Sequence, residues 1–269
     1  MKVLARTATA LAVAAAVVAI LCKAGYEVVR PALIVLIALA HLEFSQLVAR
    51  RFPIMVWQGV AAGAAFLVSQ FYFYDSAFPL LFFALAVAAL FLRRGSMLES
   101  FAFTSLGLVY LPMMLAYLLR IAQLHPPAGA GPSLFWLLYV VSLVKISDMG
   151  GFAFGLGSAK VFGRNHKMCP NISPNKSWEG MVGSVFGSCL VSCLLSGMTG
   201  FGFGRSIFMG VCAAVFGTLG DLVESGIKRE CGAKDSATFM PAGMGGFLDM
   251  FDSLVFAPAI LYSLILGVG

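Results

Sequence analysis

An all-α, polytopic membrane fold is what this chain predicts, and three observations predict it. Hydrophobic residues make up 60% of its 269 positions and mean hydropathy is +0.94, whereas soluble domains are nearer half apolar. The apolar residues come in long uninterrupted runs, suited to a hydrocarbon core about 30 Å thick. Charged residues, only 11% of the chain, fall between the runs and in one stretch near the carboxyl end.

The runs give about nine candidate spans: Thr7–Cys22, Val29–Val48, Ile54–Tyr74, Ala77–Leu92, Ser100–Leu119, Ser133–Phe154, Gly180–Met198, Ser206–Leu222 and Phe247–Val268. Lys2 and Arg6 ahead of an alanine-rich core also fit a cleaved leader, which eight further spans make unnecessary. Residues 1–132 read as an amino-terminal transmembrane scaffold. Residues 133–269 read as a catalytic transmembrane region with two polar loops.

Orientation follows from the basic residues. With nine spans, Lys2, Arg6, Arg50, Arg51, Arg93, Arg94, Lys160, Arg164, Lys167, Lys176, Lys228, Arg229 and Lys234 share the amino-terminal side, which is 13 of the 18 Lys and Arg residues. Lys23, Arg30, Arg120 and Arg205 lie opposite. The bias predicts a cytoplasmic amino terminus, an external carboxyl terminus and basic loops in the cytoplasm. The net charge of +6 is therefore mainly a topology signal, with anionic lipid contact secondary. A compact basic domain and an aromatic platform are both missing, so nucleic acid is not an expected partner.

The six cysteines, Cys22, Cys169, Cys189, Cys193, Cys212 and Cys231, form no C-x-x-C pair. Most lie in spans, where they read as small apolar packing residues and imply neither zinc nor a disulfide framework.

The first half carries few groups for chemistry. His41 and Glu43 are ionisable at membrane depth, which is costly and often functional. Arg50 and Arg51 nearby give them an equally good reading as interfacial structural groups. The loop from His125 to Pro132 has no chemical signature.

Character changes at the sixth span. Asp148 precedes Gly150-Gly151, and an acid beside two glycines can bring a carboxylate and bare backbone close to a ligand or metal. Lys145 beside it also fits simple snorkelling. The following loop, Gly163 to Gly180, has the composition of an ordered anion-binding loop, with Arg164, Lys167 and Lys176 for charge and Ser173 and Ser177 for hydroxyls. Ser177 can also cap the seventh span, although the acid of a capping box belongs one residue beyond Glu179. His166 alone reads as a surface residue.

The stretch from Gly217 to Asp252 concentrates the polar chemistry, with six acids and three bases. Asp221, Glu224, Ser225 and Lys228 fall at i, i+3, i+4 and i+7, one face of a helix. Asp249 and Asp252 make a second face after the glycine-rich break Gly243 to Gly246. Acids at membrane depth with bases just outside suit cations that neutralise phosphates while Lys and Arg hold the rest of a polyphosphate. The residues therefore imply nucleotide or phospholipid head-group chemistry at the inner face.

Ser225-x-x-Lys228-Arg229-x4-Lys234-Asp235, then Pro241, Gly245-Gly246, Asp249 and Asp252, resembles the signature of the phosphatidate cytidylyltransferases, the CDP-diacylglycerol synthases. The Asp148 segment and Ser173-Pro174-x-Lys176-Ser177-x-Glu179-Gly180 resemble two further blocks of that family. The likeness is specific over Ser147 to Ser253. It departs at Met244, where the family usually has His, at Met250, where it usually has Arg, and by one extra residue between Pro241 and Gly245.

That resemblance implies an integral protein of the cell membrane whose active site faces the cytoplasm. Its substrates would be CTP and phosphatidic acid, its products CDP-diacylglycerol and pyrophosphate. It implies Mg²⁺ and admits a second, monovalent cation such as K⁺ and a homodimer. On this reading Asp221 and Asp249 are the principal metal ligands, supported by Asp148, Glu224 and Asp252. Lys228 and Ser225 act at the reacting phosphates, while Arg229, Lys234, Lys176, Arg164 and Ser173 bind substrate. Two rivals remain: a CTP-dependent kinase of a polyprenol-type lipid alcohol, and a secondary transporter, against which stands the lack of a convincing repeat between halves.

Overall fold

The computed structural model describes residues 25–70, 77–92, 95–127, 129, 134–163, 165–233 and 246–267. The predicted first span, Thr7–Cys22, lies outside them. Ten helices run through the described residues: α1 (Tyr26–Val48), α2 (Val56–Ser69), α3 (Ala77–Leu92), α4 (Met97–Gln123), α5 (Phe135–Phe162), α6 (Trp178–Leu194), α7 (Ser196–Thr199), α8 (Phe203–Glu230), α9 (Phe247–Phe251) and α10 (Ala257–Leu266). A 3₁₀ turn, Asp252–Leu254, follows α9.

Among the described residues α1, α4, α5 and α8 are long and apolar enough to cross a membrane, and the pair from Phe247 to Leu266, bent by 41°, counts as a fifth when taken as one broken span. The remaining predicted spans coincide with shorter apolar helices, α2, α3 and α6. At 1.5 Å per residue the 14 residues of α2 reach about 21 Å, short of the hydrocarbon thickness. Helical membrane architecture is thus borne out, and among the described residues four helices, or five with the bent pair, have full spanning length.

The polar loop departs from the all-α expectation. Lys167–Cys169 (β1) and Ser173–Ser177 (β2) pair antiparallel, with Lys167 opposite Ser177 and Cys169 opposite Ser173. The physical reason is the turn between them: Ile172 N–H donates to Cys169 O at 3.2 Å, with Pro170 and Asn171 at its centre. Proline presets the backbone angle of one central position and asparagine tolerates the other.

Inside α4, Val109–Met113 forms a π turn around Pro112. A proline lacks the N–H of a regular helical ladder, which favours such a local widening. Its Tyr110 packs against Phe44 of α1 and edge-on to Phe256, with ring centroids 5.5 and 6.0 Å away. Here the core joins the two halves of the chain. His41 and Glu43 are buried beside it, 1% and 0% exposed.

Glycines set how closely the later helices approach. A Cβ on Gly150 of α5 would lie 2.4 Å from the Gly183 carbonyl oxygen of α6. Small residues permit this backbone contact between membrane helices. Gly150 therefore serves helix packing, in place of the ligand approach expected for it.

Candidate active site

Helix α8 supplies the first part of the site. Its 3.6-residue period puts Asp221, Glu224 and Lys228 on one face, and Lys228 Nζ lies 2.7 Å from Glu224 Oε1. Both side chains are withdrawn from solvent, at 11% and 2% exposure. Lys228 Nζ also forms an ion pair with Asp249 Oδ1. One ammonium thus joins α8 to α9.

Two local devices bring the second acidic face against the first. Asp249 Oδ2 accepts from Gly246 N–H at 2.6 Å, capping α9. A Cβ on Gly220 would lie 2.4 Å from the Asp252 carbonyl oxygen, so the glycine before Asp221 lets the 3₁₀ turn rest directly on α8. As a result, one oxygen from each of Asp221, Glu224 and Asp252 lies within 4.8 Å of the others. Three hard oxygen donors at this spacing fit a small divalent cation such as Mg²⁺.

The hairpin and α5 close the other side. Lys176 of β2 forms an ion pair with Asp221, each side chain one quarter exposed. Asp148, Gly151, Ser173, Lys176, Thr218 and Asp221 are among the residues lining a cleft of about 340 Å³. Lys145 Nζ lies 3.9 Å from Asp148 Oδ2 and donates to Met250 O at 3.2 Å and Ser253 Oγ at 3.1 Å. That lysine ties α5 to the acidic turn.

The structure regroups the predicted ligands. Asp252, expected in support, joins Asp221 and Glu224, while Asp249 faces Lys228. Asp148 lies on the cleft wall without joining the three. Ser225 is half-buried on α8, and among the described residues no hydrogen bond ties its hydroxyl to the acids. Arg229 Nε donates to Ile172 O at 3.4 Å, bracing the hairpin turn. Arg164 and Lys234 lie outside the described residues, as do Asp235, Pro241, Met244 and Gly245.

At the hairpin base, Ser177 Oγ accepts from Gly180 N–H at 3.1 Å and so caps α6. Glu179 accepts from His166 through its ring nitrogen at 2.7 Å and its backbone N–H at 3.1 Å. The His166 ring hydrogen bond, with the backbone ones, holds this carboxyl down at about 2.

A model of the cytidylyltransferase family matches residues 4–267. This chain belongs to the cytidylyltransferase family. It is similar to proteins named phosphatidate cytidylyltransferase from Staphylococcus aureus (strain COL), at 36% identity over 69% of this chain and 66% of that one, and from Staphylococcus haemolyticus, at 34% over the same shares. A Staphylococcus epidermidis protein of that name is 37% identical over 49% of each chain. The first two matches span just under two thirds of the relatives' length.

Sequence reasoning missed two groups in this cytidylyltransferase. Lys145 fits snorkelling by sequence, yet its three polar contacts are Asp148, Met250 O and Ser253 Oγ. Thr218 was not singled out, although it lies three residues before Asp221 on the same helical face, a spacing that could have found it. Met250, standing where the family usually has Arg, keeps its side chain half-exposed and offers only its carbonyl to Lys145.

Proposed function

We propose that this cytidylyltransferase transfers the cytidylyl group of CTP to phosphatidic acid, giving CDP-diacylglycerol and pyrophosphate. The observation that carries the reading is the meeting of Asp221, Glu224 and Asp252 within 4.8 Å, with Lys176 and Lys228 on the same acids. Two anionic reactants need charge relief before they can approach, and this arrangement supplies it from both signs.

In the reaction a phosphate oxygen of the lipid attacks the α-phosphorus of CTP. The bond from that phosphorus to the bridging oxygen breaks, and pyrophosphate leaves. The nucleophile is already an anion, so positioning matters more than a strong base. Asp221, Glu224 and Asp252 would hold Mg²⁺, which when bound neutralises charge on non-bridging oxygens. Lys176 and Lys228 turn from carboxylate to phosphate as the triphosphate enters. Ser173 and Asp148 line the wall, and Arg229, Arg164 and Lys234 are the bases this reading assigns to substrate binding. Asp249, held by Lys228 and Gly246 N–H, is a further carboxylate beside the three, and the reading admits a second, monovalent cation such as K⁺ and a homodimer.

The site faces the cytoplasm on this reading. Reporters fused after Lys167 and after Lys234 will be cytoplasmic; external reporters would reverse the orientation. The reaction is tested with purified protein, Mg²⁺, phosphatidic acid and CTP labelled at the α-phosphate. Label entering the lipid with release of pyrophosphate supports cytidylyl transfer. Lipid labelled only from the γ-phosphate would make the protein a kinase, and solute flux without CTP turnover would make it a transporter.

A further inference from the structure

We propose that Glu43 is a positioning residue for the reaction, fixing from α1 the turn that carries Asp249 and Asp252. The inference rests on the cation-site reading of Asp221, Glu224 and Asp252. Glu43 is fully buried, and its Oε2 accepts from the backbone N–H of Leu248 at 3.0 Å, across 205 residues of chain. Leu248 immediately precedes Asp249.

A five-residue helix cannot hold itself in place. The ties of α9 are therefore informative. Gly246 N–H is taken by Asp249 itself, while Leu248 N–H is taken by Glu43. Leu248 and Phe251, 0% and 5% exposed, anchor the apolar face of the turn in the core that α1 shares. The other polar ties, Lys228 to Asp249 and Lys145 to Met250 O, come from lysines that also pair with Glu224 and Asp148, so a charged ligand that engages those acids can rearrange them. Glu43 is fully buried, does not line the cleft and, among the described residues, forms no ion pair with the site's lysines.

As a stabilising device Glu43 is poor. Its Oε1 is buried and has no hydrogen-bond partner among the described residues, and a carboxyl buried with so few partners costs stability that an apolar side chain would recover. What the carboxyl does achieve is placement of a backbone one residue from Asp249 and four from Asp252. Groups that orient ligands from behind typically change metal affinity by about 10- to 100-fold when removed.

The test compares Glu43→Met, which keeps bulk and loses the acceptor, with Glu43→Gln, which keeps an acceptor oxygen. Asp221→Asn is the control for the cation site. Two readouts are taken on purified protein: the Mg²⁺-dependent rise in Tm without substrate, and the Mg²⁺ requirement for formation of the cytidylylated lipid. Glu43→Met should fold with an unchanged or higher Tm in the absence of Mg²⁺ yet need at least about tenfold more Mg²⁺ in both assays, while Glu43→Gln stays within about threefold of wild type. If Glu43→Met does not fold, Glu43→Asp, one methylene too short to reach Leu248, takes its place with the same Mg²⁺ expectation and a lower Tm, because its carboxyl stays buried without a partner.

A wild-type Mg²⁺ requirement in the acceptor-less variant overturns the proposal, as does a Gln variant impaired equally. Loss of the Mg²⁺ response in Asp221→Asn shows that the cation site itself stands. A response that survives there removes the site reading whatever Glu43 does.

Discussion

Two regions of this molecule, the wall of α1 with α4 and the acidic end of α8 with α9, partner their polar groups differently. Around α1 and α4, both ring nitrogens of His41, Ser45 Oγ, Ser105 Oγ and Tyr110 OH are buried with no hydrogen-bond partner among the described residues. Around α8 and α9, Asp221 and Glu224 pair with Lys176 and Lys228, Lys228 reaches on to Asp249, and Asp252 accepts a backbone N–H. The first region is a wall whose polar atoms are shut away. The second is a set of exchangeable ion pairs, each able to swap a lysine or a carboxylate for part of a charged ligand. Ion pairs at the acidic end of α8 therefore tie separate elements together, whereas the unpartnered hydroxyls of the wall tie nothing.

The largest effect should come from breaking that cross-link. Lys228→Met leaves Glu224 buried without its partner, and thermal unfolding should show a loss of about 3–5 kcal/mol. A drop below 1 kcal/mol would mean that the two regions do not differ as described. Asp221→Ala and Asp249→Ala should each lower turnover at least about a hundredfold at normal expression, as for loss of a group that stabilises transferring charge; near-normal rates in either would remove it from the site. Gly150→Val pushes a side chain into the α6 backbone and should cost about 1–3 kcal/mol by Tm. Ser45→Ala, in the wall, removes an unpartnered hydroxyl and should leave Tm within about 0.5 kcal/mol of wild type. A large loss there would reveal a hidden partner and erase the contrast.

Much of the site was legible from spacing. Asp221, Glu224 and Lys228 recur with the helical period, so their shared face follows from local geometry, and the family reading built on these blocks is borne out by the match over residues 4–267. Ser177 was legible as a cap. Other features were not, for identifiable reasons. The hairpin hid because Pro170-Asn171 sits among polar residues that also suit an irregular loop. Gly150 was read as ligand-facing because small residues serve close backbone approach of any kind, to a ligand or to another helix. Asp252 and Asp249, three residues apart, differ in role only through what lies opposite each.

Glu43 shows the same limit at long range. Its burial cost is visible in the sequence as a lone acid in an apolar run, but its partner, the N–H of Leu248, belongs to no pattern that residue types record. The sequence by itself determined membrane helices, the acidic faces and the family, because these depend on composition, period and local spacing. Which acids meet, which glycines bear helix contacts and which distant carboxyl holds the reactive turn were decided only by tertiary structure, because close packing assigns each polar group its partner.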